Sequence, residues 1–268
     1  MTRVLLYVLI GIIVVLYLLL LAISNVNLPD AGPHMKDIPN ILGLPLALPF
    51  AFYILSSFGG VLAIILLASI MGNEYNWRTI RTAVFSSESR FKLLTAKLIS
   101  ATILILIGML IALASGFIMS LITTAIGGYK FDFSFMIGSY LWDQFVQFWR
   151  TLYVLIPYTL LGFMFAIAGR SAMPGIASGI GIFFLESIIT TFMILAGGWI
   201  ARVPDYLLLA NVRSLSSLTS LPQSFSSGMG SAGIKLPGEL QAFIVIAVYS
   251  ILFLAISFYL FHKRDVTG

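Results

Sequence analysis

The chain has 268 residues, of which 60% are hydrophobic and 9% charged, and its mean hydropathy is strongly positive. That balance excludes a water-soluble globule, and repeated long apolar runs point to a chain that has lipid as its solvent. The absence of cysteine excludes disulfides, thiolate metal sites and a cysteine nucleophile, and the net charge of +5 is spread among loops, as membrane topology requires, not gathered into a nucleic-acid surface.

Six spans are expected in a single transmembrane domain covering residues 1–268. The first, residues 4–24, is nearly pure Leu, Val and Ile with Tyr7 and Tyr17. It is too long for a signal peptide, and no small-residue cleavage site clearly ends it. A polar loop, residues 25–45, carries His34, Pro29, Pro33 and Pro39 and leads into the second span, residues 46–71.

Residues 72–97 form a long, charge-dense stretch between two apolar blocks. Asn73 can cap a short helix whose first turn holds Glu74, where the positive end of the helix dipole favours an acid. Glu74 and Arg78, then Glu88 and Lys92, stand four apart with the acid first, the better order for a helical ion pair. Trp77, Ile80 and Val84 share one apolar stripe, and Ser86 and Ser87 break the run. Two short amphipathic helices along a membrane surface are expected, a shape suited to docking a soluble partner.

The third span is expected over residues 98–126. Residues 127–149 follow as an aromatic belt for the membrane interface, with Tyr140, Trp142, Phe145 and Trp149 among its rings. The fourth span, residues 151–168, holds Pro157, which is expected to kink it. A tight link at residues 169–174 turns the chain into the fifth span, residues 175–196. The longest non-spanning stretch, residues 197–239, reads as an extracellular loop, with a short capped helix at the interface over residues 204–210 and an irregular Ser/Gly-rich remainder. The sixth span, residues 240–261, ends in His262, Lys263 and Arg264.

With the N-terminus inside, the short inner segments hold Arg3, Arg78, Arg81, Arg90, Lys92, Lys97, Arg170, Lys263 and Arg264, while the longer outer ones hold Lys36, Lys130, Arg150, Arg202, Arg213 and Lys235. The positive-inside rule therefore places both termini in the cytoplasm of a multi-pass protein of the inner or plasma membrane.

No P-loop is present, so the chain itself is not expected to bind or hydrolyse ATP. It has no His-Glu-x-x-His pattern, and His34 and His262 fall on opposite sides of the membrane in this topology. No catalytic residue, cofactor site or metal site is expected. Glu186 is the one ionisable residue well inside a span, 16 residues from Arg170 and so roughly 24 Å from it along a helix. Two readings of it stay open: a polar point or protonatable gate on a translocation path, and a structural carboxyl bonded to a neighbouring helix. Small residues recur at four-residue spacing, as in Ser56-x-x-x-Gly60, Gly59-x-x-x-Ala63, Gly108-x-x-x-Ala112-x-x-x-Gly116, Gly175-x-x-x-Gly179 and Ala177-x-x-x-Gly181, and such ladders let helix backbones approach closely.

The ordered set Glu74-Tyr75, Thr79-Ile80-Arg81-Thr82, Ser89-Arg90 and Ala96-Lys97, lying between spans two and three, resembles the cytoplasmic loop of ABC-2-type exporter permeases. The resemblance implies a fold: an all-α integral membrane protein with six transmembrane helices and a short amphipathic cytoplasmic coupling helix between spans two and three. It implies that Glu74, Tyr75, Trp77, Arg78, Thr79, Arg81 and Arg90 meet an ATPase. It also implies two separate ABC ATPase subunits, which would bind ATP and Mg, and a second permease, identical or paralogous. The expected path residues are Phe52, Phe58, Phe184 and Glu186, with an amphipathic cargo (drug, lipid or peptide). The resemblance does not extend to the basic amphipathic helix that commonly precedes the first span in that family; Met1, Thr2 and Arg3 stand there. The competing class is an autonomous secondary transporter or channel, against which stands the scarcity of intramembrane charge.

Overall fold

The computed structural model describes residues 2–24, 42–76, 90–127, 131, 133–218, 221 and 236–263. Among these residues the fold is all-helical, without a strand. The α-helices are α1 (Thr2–Ser24), α2 (Ala47–Asn76), α3 (Arg90–Ile126), α4 (Gly138–Gly169), α5 (Ala172–Ala196), α6 (Leu208–Ser216) and α7 (Glu239–Lys263). All but α6 are long and apolar enough to cross a membrane, which makes the chain a multi-pass membrane protein. In lipid a helix is the form that satisfies every backbone N–H and C=O within one segment.

Several helices outrun the expected spans. At 1.5 Å per residue α2, α3 and α4 are about 45, 55 and 48 Å long, well beyond the ~30 Å hydrocarbon core. Consequently α2 passes unbroken through Asn73, which is an interior helix position and not the cap of a new helix. The third spanning helix starts at Arg90, eight residues before the expected boundary, and the later part of the aromatic stretch, from Gly138 on, is the beginning of α4. Helix α4 also continues through Pro157, whose missing N–H cannot bond the Tyr153 carbonyl.

The start of α2 is tied down by hydroxyls from other helices. A 3-10 turn at Leu44–Leu46 precedes it, with Pro45 at a position where an absent N–H costs nothing. Ser120 and Thr123 of α3 donate to the Leu42 carbonyl at 2.9 and 3.2 Å, and Tyr140 of α4 donates to that of Pro45 at 2.9 Å. Tyr17 of α1, wholly buried, donates to the Ala47 carbonyl at 3.3 Å.

Helices α2 and α4 form the centre of the bundle; α2 packs against α3, α4 and α5, and α4 packs against α2, α5 and α7. Small residues set these approaches. A Cβ on Gly162 would stand 2.6 Å from the Ile64 carbonyl oxygen, and one on Gly116 would meet the Ala51 methyl at 2.8 Å. The ladders are not uniform, however. Among the described residues, Gly108 and Gly181 have no atom within 4 Å of where a Cβ would sit, so they close no contact there.

The link between α4 and α5 is a Schellman turn. Arg170 takes the left-handed conformation (φ 51°), its N–H reaching the Ile167 carbonyl and that of Ser171 the Ala166 carbonyl. This turn lies against the far end of α2: a Cβ on Gly72 would fall 2.1 Å from the Ala172 nitrogen.

Candidate functional site

Two places gather the residues that the sequence singled out. The first is the end of the bundle where α2 finishes and α3 begins. Met71 is buried in a cluster with Leu67, Leu94, Phe163 and Phe261, so α2, α3, α4 and α7 meet there, and Tyr75 packs against the same cluster. Phe91 of α3 lies on Phe258 of α7, with ring centroids 4.9 Å apart. Above this apolar plate, Glu74 Oε1 forms an ion pair with Lys97 Nζ, with both side chains mostly buried. The pair bolts the last turn of α2 to the second turn of α3. Trp77, Arg78, Thr79 and Arg81 lie outside the described residues, as does the side chain of Arg90, which opens α3. The second expected helix of this stretch, from Ser87 through Lys97, is instead the beginning of α3 from Arg90 onward.

The second place surrounds Glu186 in α5. The sequence offered it no partner; the structure supplies the N-terminus of α6. Its Oε1 accepts a hydrogen bond from the Leu209 N–H at 2.7 Å, and the Leu208 N–H is also directed at the carboxylate. These are first-turn donors with no partner inside their own helix, and the helix dipole adds a favourable field for an acid. Arg213, on the same short helix, interacts electrostatically with Glu186 and donates from Nη2 to Ser187 Oγ at 3.5 Å. The carboxylate is therefore held by the backbone of one element and balanced by a cation of the same element.

Helix α6 is not a surface helix. Glu186 stands ten residues before the end of α5, about 15 Å along it, so the chain that leaves α5 turns back into the bundle to meet it. A 3-10 segment, Ile200–Tyr206, makes the return, and every residue of α6 from Leu208 to Leu215 except Arg213 is buried. Irregular backbone at that depth is tolerated where protein surrounds it. Asn211, fully buried, donates from Nδ2 to the Asp205 and Leu207 carbonyls at 2.9 and 2.7 Å. Gln241 of α7 donates to the Asp205 carbonyl at 3.0 Å, and Ser214 to that of Pro237 at 2.7 Å. The short interface helix expected over residues 204–210 is thus split between the 3-10 turn and a buried α6 pinned to α7.

The expected path residues separate. Phe52 is 1% exposed and packs in the core formed by α1, α2, α3 and α4. Phe58 and Phe184 stand exposed on α2 and α5. Phe183, beside Phe184, instead turns inward onto Tyr158 with ring centroids 5.2 Å apart. Arg213 and Asn211 were not singled out as site residues, because their stretch reads as loop. Nor were Gln144 and Gln147, both buried on α4. Their signal was legible: Gln144, Gln147 and Thr151 follow the i, i+3, i+7 spacing of one helix face.

The chain is 26% identical over 219 residues to an uncharacterized protein, YhcI, of Bacillus subtilis (strain 168); the match takes in 78% of this chain and spans 65% of that relative's length. No solved structure matches the chain. A family model described as a protein of unknown function, DUF2705, matches residues 39–267, and the chain belongs to that family.

Proposed function

We propose that the chain is the permease subunit of an ATP-driven ABC-2-type exporter, which forms the translocation path and is worked by separate ATPase subunits. The observation that carries this reading is the mechanical continuity at one end of the bundle. The Glu74–Lys97 ion pair ties α2 to α3, and Gly72 lies directly against the α4–α5 turn at Ala172. A displacement of the last turn of α2 would pass to α3 through the ion pair and to the α4–α5 turn through Gly72, and so reach both central helices. Arg3, Lys92, Lys97, Arg170 and Lys263 belong to this same end of the bundle, and the positive-inside rule makes it the cytoplasmic one, with both termini inside.

In this reading two ATPases close on ATP and press on the 72–97 stretch, in which Glu74, Tyr75, Trp77, Arg78, Thr79, Arg81 and Arg90 are the contact residues. A second permease, identical or paralogous, covers exposed apolar faces such as those bearing Phe58 and Phe184, and the cargo between them is amphipathic. Glu186 serves as the latch of α6 and not as a proton gate. The test is affinity purification of the tagged chain from native membranes. Co-purification of a P-loop ATPase, lost on Arg81→Glu, supports the reading. Transport by the purified chain alone, without ATP, would establish the competing reading of a secondary transporter or channel.

A further inference from the structure

We propose that the first four turns of α4 build a binding site for one zwitterionic diacyl phospholipid, its headgroup held by Asp143, Gln144, Gln147 and Arg150 and its acyl chains lying along α4 towards α7. Counting about 20 residues back from the end of α4 at Gly169 fills the hydrocarbon core and reaches Arg150. The residues just before Arg150 therefore stand at headgroup depth, and the exposed Trp142, Phe145 and Trp149 rings suit the interface there.

Two adjoining cavities follow this division. The upper, about 420 Å³, is lined by Asp143, Gln144, Gln147 and Arg150 together with Trp142 and Pro49. The lower, about 600 Å³, is apolar apart from Arg150 and Tyr153, and runs over Trp149, Leu152 and Ile156 to Phe243 of α7. Val146 and Arg150 line both, so one molecule can occupy the two together.

The upper cavity is a built polar site. Gln144 is 7% exposed and Gln147 5%, yet Gln144 Oε1 and Gln147 Nε2 have no hydrogen-bond partner among the described residues. Buried amide groups are costly when unpaired, and both of these glutamines belong to the wall of this cavity, where a small side-chain rotation would let a polar ligand satisfy them. Asp143 and Arg150 form no ion pair with each other. An acid above and a base below, at the hydrocarbon boundary, complement a headgroup with a terminal ammonium and a phosphate nearer the acyl chains. A free amphipathic anion would meet Asp143 unfavourably, and a soluble headgroup would leave the lower groove unfilled.

Binding is measured by native mass spectrometry of the detergent-solubilised full chain with phosphatidylethanolamine, phosphatidylglycerol and soluble glycerophosphoethanolamine as probes, and needs no ATPase. Phosphatidylethanolamine is expected to bind roughly tenfold more tightly than phosphatidylglycerol. The double variant Gln144→Leu/Gln147→Leu and the single variant Arg150→Gln should each weaken it by roughly tenfold. Asp143→Asn should abolish the preference between the two lipids. The Leu variants remove unpaired amides, so unchanged thermal unfolding is expected of them, and Asp143→Asn is conservative enough to test the site should they misfold. Equal binding by the parent chain and all three variants would overturn the proposal. Competition by glycerophosphoethanolamine as strong as by the whole lipid would overturn it as well, since the groove would then contribute nothing.

Discussion

The Glu186 carboxylate of α5 receives the backbone N–H of Leu209 at 2.7 Å, and so caps a short helix that has turned back into the bundle. Glu186→Ala strands that donor away from water and should cost about 1–3 kcal/mol. Glu186→Gln keeps an acceptor oxygen and should cost under about 1 kcal/mol. Thermal unfolding in detergent compares the two. If Glu186 were a proton gate, Glu186→Gln would leave unfolding unchanged but abolish transport; as a latch, it should leave both near the parent's.

Gly72→Ala and Gly181→Ala are a matched pair on spanning helices. At Gly72 the methyl would enter the backbone of the α4–α5 turn, which cannot move aside as a side chain could. A loss of about 1–3 kcal/mol or more is expected. At Gly181 no atom of the described residues lies within 4 Å of the new methyl, and alanine should stabilise the helix by about 0.5–1 kcal/mol. Unfolding measurements on both variants check the difference. A large loss at Gly181 would place that face against a second copy of the chain.

The Glu74–Lys97 pair is open to a double-mutant cycle. Glu74→Lys alone puts two ammonium groups together in a mostly buried place, and a loss of about 1–3 kcal/mol is expected. Adding Lys97→Glu restores opposite charges with the ends exchanged and should recover most of the loss. A coupling energy near zero by chemical or thermal unfolding would show that the pair does not fasten α2 to α3.

Orientation can be read cleanly because the chain has no native cysteine. Phe91→Cys sits on an exposed position at the end where α3 starts, and Trp199→Cys on one beyond the end of α5. In intact cells an impermeant maleimide should label the Trp199→Cys variant and spare the Phe91→Cys variant until the membrane is opened. The reverse pattern would invert the topology.

Much of the fold was legible because membrane spans announce themselves by length and apolarity. The runs starting at Val4, Leu46, Leu98, Thr151, Gly175 and Leu240 all fall within spanning helices. Helix ends were less legible, since a helix does not stop where the hydrocarbon stops. Polar and aromatic residues such as Asp143, Gln144 and Trp149 look like loop when apolarity is the criterion, although Gln144, Gln147 and Thr151 keep helical spacing. The partner of Glu186 was hidden for a different reason. A backbone N–H leaves no mark in sequence, and the helix that offers it lies in a stretch whose composition reads as loop. Lys97 was legible as an inner cation, but its pairing with Glu74 depends on how closely α2 and α3 converge, which spacing along one helix does not encode.

The central claim is that the 72–97 stretch is worked by a separate ATP-hydrolysing subunit. It is tested most directly by placing a photo-cross-linking amino acid at position 78 in native membranes. The expected result is light-dependent capture of a P-loop ATPase, with a yield that changes between ATP and ADP and with no capture from the same residue at position 199. Contradiction would be efficient photochemistry at position 78 that captures no ATPase at all.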